Sequence, residues 1–242
     1  MRSRAGLVLG MLLTALLFAG QPVSAADSVT LLYERIQDSN GDAFHEKSVR
    51  LDYRPFYAVG YLGNWQTGVE VGGYVSDRRR SSYSASVRHR LIQGSLAPDQ
   101  TVQLDTEQVL ANGVVAKFLG RYHHVGEPEP PDDDVNFYMY GLGLDKYYGD
   151  YNYFSAMYFN DPREVGRFSV VLSHTLATRD SYFRVGLVPR SDHKTGYFAV
   201  TKYHWILLGY TYERHFDFTT FDRRVFTVGL QIPFDQKWSH EE

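Results

Sequence analysis

Apolar and polar positions alternate along most of the chain after residue 27, with the period of two that an extended strand imposes on its side chains. The last regular stretch, residues 223–234, reads R-R-V-F-T-V-G-L-Q-I-P-F. Arg224, Phe226, Val228, Leu230, Ile232 and Phe234 share one face, while Arg223, Val225, Thr227, Gly229 and Gln231 share the other. In residues 29–36, Val29, Leu31 and Tyr33 oppose Thr30, Leu32 and Glu34. In residues 83–91, Tyr83, Ala85, Val87, His89 and Leu91 oppose Ser84, Ser86, Arg88 and Arg90. In residues 137–146, Tyr138, Tyr140, Leu142 and Leu144 oppose Gly141, Gly143 and Asp145. In residues 167–176, Phe168, Val170, Leu172 and Leu176 oppose Arg167, Ser169, Ser173 and Thr175. In residues 182–188, Phe183, Val185 and Leu187 oppose Arg184 and Gly186. Further candidate strands cover residues 49–61, 67–75, 101–110, 114–122, 151–159, 196–202 and 205–215. Long helical periodicity is absent.

The N-terminus reads differently. Arg2 and Arg4 precede an apolar run over residues 5–19, and Val23-Ser24-Ala25 supplies the small residues that a signal peptidase reads. The run is shorter than the roughly 20 residues of a spanning helix. We therefore expect residues 1–25 to be a cleaved signal peptide and residues 26–242 to form one domain. Cleavage leaves 217 residues and moves the net charge from −3 to −5, which disfavours a nucleic-acid partner. The absence of cysteine excludes disulfide-stapled folds and thiolate zinc sites. Aromatic residues make up 15% of the chain, yet mean hydropathy is −0.35. Together these fit a closed antiparallel transmembrane β-barrel, in which only alternate residues meet lipid.

The tally of candidate strands is odd, whereas single-chain bacterial barrels favour even numbers. Pro55 interrupts the pattern in the region before Val75, so the error is expected there, and the expected count is about 12. Counting back from Phe234 places the tight links Thr178-Arg179-Asp180, Gly149-Asp150 and Asn112-Gly113 at the periplasmic end. The same count places residues 126–134 outside the cell.

Residues 223–234 also resemble the sorting signal of outer-membrane barrels through Thr227, Gly229, Ile232 and Phe234, although eight residues follow the phenylalanine. From Asn136 onward the order of motifs resembles the YaiO family of outer-membrane β-barrel proteins. Gly143-Leu144-Asp145-Lys146-Tyr147-Tyr148-Gly149 carries most of the likeness, with residues 186–192, 205–209 and the closing Val228-Gly229-Leu230. The resemblance implies a barrel in the Gram-negative outer membrane without established enzymatic activity. Related barrels serve exopolysaccharide export, but this chain has no room for the helical-repeat region that some relatives carry.

The candidate chemistry lies on the polar face. Alternation points Glu34, Arg88, Arg90, Asp145, Arg167, Arg184, Glu213 and Arg223 into the lumen, where unpaired charge is costly and pairing across the interior is expected. These charges serve either as packing or as a small polar conduit or cavity, with the arginines suiting acidic polysaccharide. Asp105 and Glu107 are read as ordinary lumen charges. The acidic, Pro-rich residues 127–134 after His123-His124 are read as a solvated loop, and Asp77-Arg78-Arg79-Arg80 as a solvated turn. No His-x-Ser pair is present, and Ser173 and His174 face opposite sides, so a barrel hydrolase acting on lipid or lipopolysaccharide is the lesser alternative. A secreted soluble β-barrel binding a small ligand is another. The expected partners are outer-membrane lipid, lipopolysaccharide and the barrel-assembly machinery. No cofactor or metal is expected.

Overall fold

A computed structural model describes residues 28–39, 41–53, 55–77, 81–92, 98–125, 135–160, 166–212 and 222–233. Fourteen strands follow one another: β1 (Ser28–Asp38), β2 (Ala43–Tyr53), β3 (Phe56–Gly63), β4 (Gly68–Asp77), β5 (Ser81–Arg90), β6 (Gln100–Val109), β7 (Val114–Val125), β8 (Val135–Tyr147), β9 (Tyr153–Asn160), β10 (Phe168–Ala177), β11 (Tyr182–Pro189), β12 (Thr195–Tyr203), β13 (Ile206–Tyr212) and β14 (Arg223–Pro233). Each pairs antiparallel with its neighbour in sequence. The seam between β1 and β14 closes the ring over eleven residue pairs, from Ser28 opposite Pro233 to Asp38 opposite Arg223. Closure leaves no edge strand exposed.

The count of 14 corrects the expected 12. Residues 49–61 are not one strand. β2 begins earlier, at Ala43, and ends at Tyr53; Pro55 lies in the link to β3, which pairs back onto β2. Proline lacks a backbone N–H and fixes φ, so it breaks the ladder and serves the turn. The error therefore lay in the region that the odd tally had pointed to.

The two ends of the barrel differ. At the end where β1 starts and β14 finishes, links are two to five residues long; at the opposite end they run from four to ten. Asn112-Gly113, Gly149-Asp150 and Thr178-Arg179-Asp180 all lie at the terminal end, while β7 ends at Val125 and β8 starts at Val135 at the opposite one; residues 126–134 between them lie outside the described residues. Asn112 and Gly113 both take positive φ, 52° and 71°, which asparagine and glycine tolerate in a tight hairpin.

The wall has two faces. Leu31, Val49, Leu142, Leu172, Leu187, Val228 and Leu230 point outward and are 40–55% exposed. Outward aromatic pairs gather toward the loop end, including Tyr122–Tyr138, Tyr140–Tyr158 and Tyr197–Tyr212, with ring centroids 5.2, 6.2 and 5.4 Å apart. Tyr53, Tyr151, Tyr203 and Trp205 stand exposed at the terminal end.

Inward, two apolar clusters form. Leu119, Met139, Phe159, Val171 and Val188 pack with Met157 and Phe198 on one wall. Ile36, Trp65 and Val225 pack with Phe44 on the other. Five inward glycines stand directly opposite a large side chain that covers them: Gly72 with Tyr57, Gly141 with Phe159, Gly143 with Met157, Gly186 with Phe198 and Gly229 with Leu32. A Cβ at any of these glycines would collide with its partner, so the large side chains lie along the wall where glycine leaves room.

Candidate functional site in the barrel interior

The densest inward chemistry lies on β2–β5. Glu70 on β4 sits directly opposite Arg88 on β5. The Arg88 guanidinium donates from Nε and one Nη to Glu70 at 2.9 and 2.7 Å, and also to the Tyr61 hydroxyl at 2.8 Å and to Gln66 at 3.2 Å. Tyr57 and Tyr61 donate to the two Glu70 oxygens at 3.0 and 2.8 Å, and the guanidinium lies 4.4 Å from the Tyr61 ring centroid. Glu70 thus meets a guanidinium and two phenols, which satisfies the polar atoms of a buried carboxylate.

A second network sits nearer the terminal end. Arg50 donates to Asp52 at 2.9–3.0 Å and to the Tyr74 hydroxyl, and Tyr74 in turn donates to Asp52 at 3.0 Å. The Tyr57 ring, 4.0 Å from the Arg50 guanidinium, joins this network to the Glu70 one. A third cluster spans β6–β8. Lys117 bridges Asp145 at 2.5 Å and Glu107 at 3.3 Å, and Asp145 is fully buried. Close by, Arg121 donates to Gln103, Gln103 and Ser84 donate to Asp105, and Thr101 bonds His123.

Arg184 on β11 is partnered differently. It donates to the Ser173 hydroxyl at 3.0 and 3.1 Å and lies 5.4 Å from the Phe198 ring. With Asp105, Glu107, Lys117 and Ser155 it borders an inner cavity of about 220 Å³.

At the loop end the short β3–β4 link turns inward. Trp65 is 3% exposed, tilted against Phe44 with centroids 5.6 Å apart and capped by the Arg223 guanidinium at 4.9 Å. On the same end Arg190 pairs with Asp192 at 2.6 Å, while Lys194 donates to Asp222 at 3.0 Å. That hydrogen bond and the Asp222 charge raise the Lys194 pKa above the usual lysine range.

The residues expected in the lumen are found as follows. Glu34 points inward and accepts a bond from Thr227 at 3.0 Å; Arg88, Asp145, Arg184 and Arg223 also point inward, and Arg90 pairs with Asp99. Arg167 lies one residue before β10 and is half-buried. Glu213, Phe234, residues 127–134, the Arg78-Arg79-Arg80 run and the proposed signal peptide lie outside the described residues. Arg88, Asp145 and Arg184 each meet a partner on a neighbouring strand, Glu70, Lys117 and Ser173, because adjacent strands bring such side chains within reach.

Ser173 bonds Arg184 inside the barrel, and His174 bonds Tyr148 outside, so the two form no catalytic pair. Sequence reasoning missed Arg50, Asp52, Lys117 and Trp65. Alternation around Val69 and Val71 would have placed Glu70 inward, but Lys117 stands in a stretch where both faces are largely apolar.

No family model and no curated protein matches the chain. Among solved structures, a Salmonella typhi OmpF in complex with daunomycin aligns over 85% of this chain and 97% of its own, at 7% identity and TM-score 0.42. A mutant of the Rh. blastica porin aligns over 86% and 99%, at 8% identity and TM-score 0.46. Likeness this low bears on no role; the closed barrel is read from the chain's own strand pairing.

Proposed function

We propose that the chain is an integral outer-membrane β-barrel whose interior serves as a small polar conduit, structural or transport-accessory in role. The observation that carries this reading is the two-faced wall: an apolar outer belt with aromatic residues toward both ends, around inward charges held in hydrogen-bonded networks. Lipid demands that every backbone polar group be satisfied internally, and closure does so without an edge. Fourteen strands lie between the eight whose interior is filled by side chains and the 16–18 that leave an aqueous channel.

Kinship with the YaiO family belongs to the same proposal. Its Gly143–Gly149 motif builds the end of β8 and the start of a tight link, with Asp145 in the Lys117 ion pair. The signal-like first 25 residues and the terminal-strand pattern at Thr227, Gly229, Ile232 and Phe234 support delivery to the outer membrane and the barrel-assembly machinery. Arg184, bonded to a hydroxyl and bordering the inner cavity, offers a contact for acidic polysaccharide. Lipopolysaccharide is the expected lipid neighbour at the loop end.

Purified protein inserted into planar bilayers is expected to give small, discrete conductance steps that acidic oligosaccharides block. Stable insertion without any conductance would overturn the conduit, and extraction from membranes by carbonate without detergent would overturn the membrane assignment.

A further inference from the structure

On the outward face near the terminal end, two cross-strand rows lie one above the other. Leu144, Ala156 and Leu172 stand directly opposite one another in register; two residues closer to the rim, Lys146, Phe154 and His174 do the same. Ala156 is small where both neighbours are leucine, so the upper row dips at its centre. The dip opens into a recess of about 710 Å³ that these six residues border.

The lower row is built as a polar ledge. His174 stacks on Phe154, with centroids 4.3 Å apart and planes 13° from parallel, and bonds the Tyr148 hydroxyl through Nε2. Lys146 Nζ donates to the Asn112 carbonyl at 2.5 Å, anchored by the positive-φ turn. That bond uses one of three ammonium hydrogens and brings no carboxylate. Among the described residues, Lys146 and His174 are the only basic side chains that alternation directs outward within four positions of this end of any strand. Both border the same recess.

We propose that this recess binds an anionic phospholipid, with its phosphate on Lys146 and His174 and an acyl chain over Ala156 between Leu144 and Leu172. The inference rests on the membrane-spanning reading, under which the terminal end meets the phospholipid leaflet. A cation at headgroup depth attracts phosphate, and a dip in an apolar wall receives a chain that a continuous leucine row would exclude.

The mature protein would be folded into phosphatidylcholine vesicles with and without phosphatidylglycerol. Folding is scored by the heat-dependent band shift, and bound lipid by native mass spectrometry after gentle extraction. Wild-type protein is expected to retain phosphatidylglycerol in preference to phosphatidylcholine. Lys146→Gln with His174→Gln is expected to lower retention by at least about fivefold, a size set by loss of one headgroup-level cation. Ala156→Trp, which fills the recess, is expected to abolish retention, and Lys146→Arg to keep it, all with the band shift intact. Retention by the Gln and Trp variants equal to that of wild type, no preference in wild type, or displacement of the lipid by inorganic phosphate would overturn the site. Absence of a band shift in every vesicle would overturn the membrane reading with it, whereas a normal shift without lipid preference sinks the site alone.

Discussion

Gly141 on β8 and Phe159 on β9 stand directly opposite each other, and the Phe159 ring occupies the space into which a Gly141 side chain would grow, 2.5 Å from an added Cβ. Gly141→Ala is therefore expected to force the ring away from the wall and out of its cluster with Leu119, Met139 and Val171. Overpacking of this kind costs about 1–3 kcal/mol. Equilibrium unfolding in vesicles should show that loss, and Gly141→Ala combined with Phe159→Ala should cost less than the sum of the single changes.

Removing the guanidinium from the β4–β5 network is a sharper perturbation. Arg88→Leu leaves Glu70 with two phenol donors and no cation. Breaking a buried pair costs roughly 3–5 kcal/mol, and the phenols together with the partial exposure of Arg88 reduce this to about 2. An unchanged unfolding midpoint would show that the pair contributes nothing.

Trp65 tests whether the inward β3–β4 link matters to the interior. Truncation to alanine is expected to destabilise by about 3 kcal/mol through lost burial against Ile36, Phe44 and Val225. It should also raise single-channel conductance in planar bilayers, because the inward-turned link then loses its packing against β1, β2 and β14. Stability loss without a conductance change would confine Trp65 to packing.

The outward belt makes a prediction about position. Leu142 lies near the middle of β8 and faces outward, so Leu142→Arg is expected to destabilise the barrel in a bilayer by about 2–4 kcal/mol. Lys47→Arg, outward but already cationic, should cost little. Equal small effects at both sites would argue against lipid contact at Leu142.

At the loop end, the Asp222 partner raises the Lys194 pKa, so the stabilisation from this contact is fully present below the unfolded lysine value. It is lost as pH rises through the higher folded value, in strongly alkaline solution. Comparing thermal midpoints of wild type and Lys194→Met from neutral to alkaline pH should show a small difference that closes at the alkaline end. High salt should shrink it at every pH, since the side chain is exposed.

Much of the architecture was legible one strand at a time. A wall with lipid on one side and a lumen on the other writes a period of two into each strand, so the facings of β1, β5, β8, β11 and β14 could be read directly. Glu34, Arg88, Asp145, Arg184 and Arg223 followed from the same parity. Where the inner face is itself apolar or aromatic, as at Val59, Leu119 and Phe159, the period fades and the reading with it.

The sequence alone determined that this chain is built of short alternating strands and which residues share a face, because facing depends only on parity within a strand. The tertiary structure decided that Pro55 belongs to a turn, that the ring closes at fourteen, and that Lys117 bridges Asp145 and Glu107. It also decided that Ala156 leaves a dip above Lys146 and His174. Each of these depends on register between strands, and register is a relation between distant segments that no local pattern encodes.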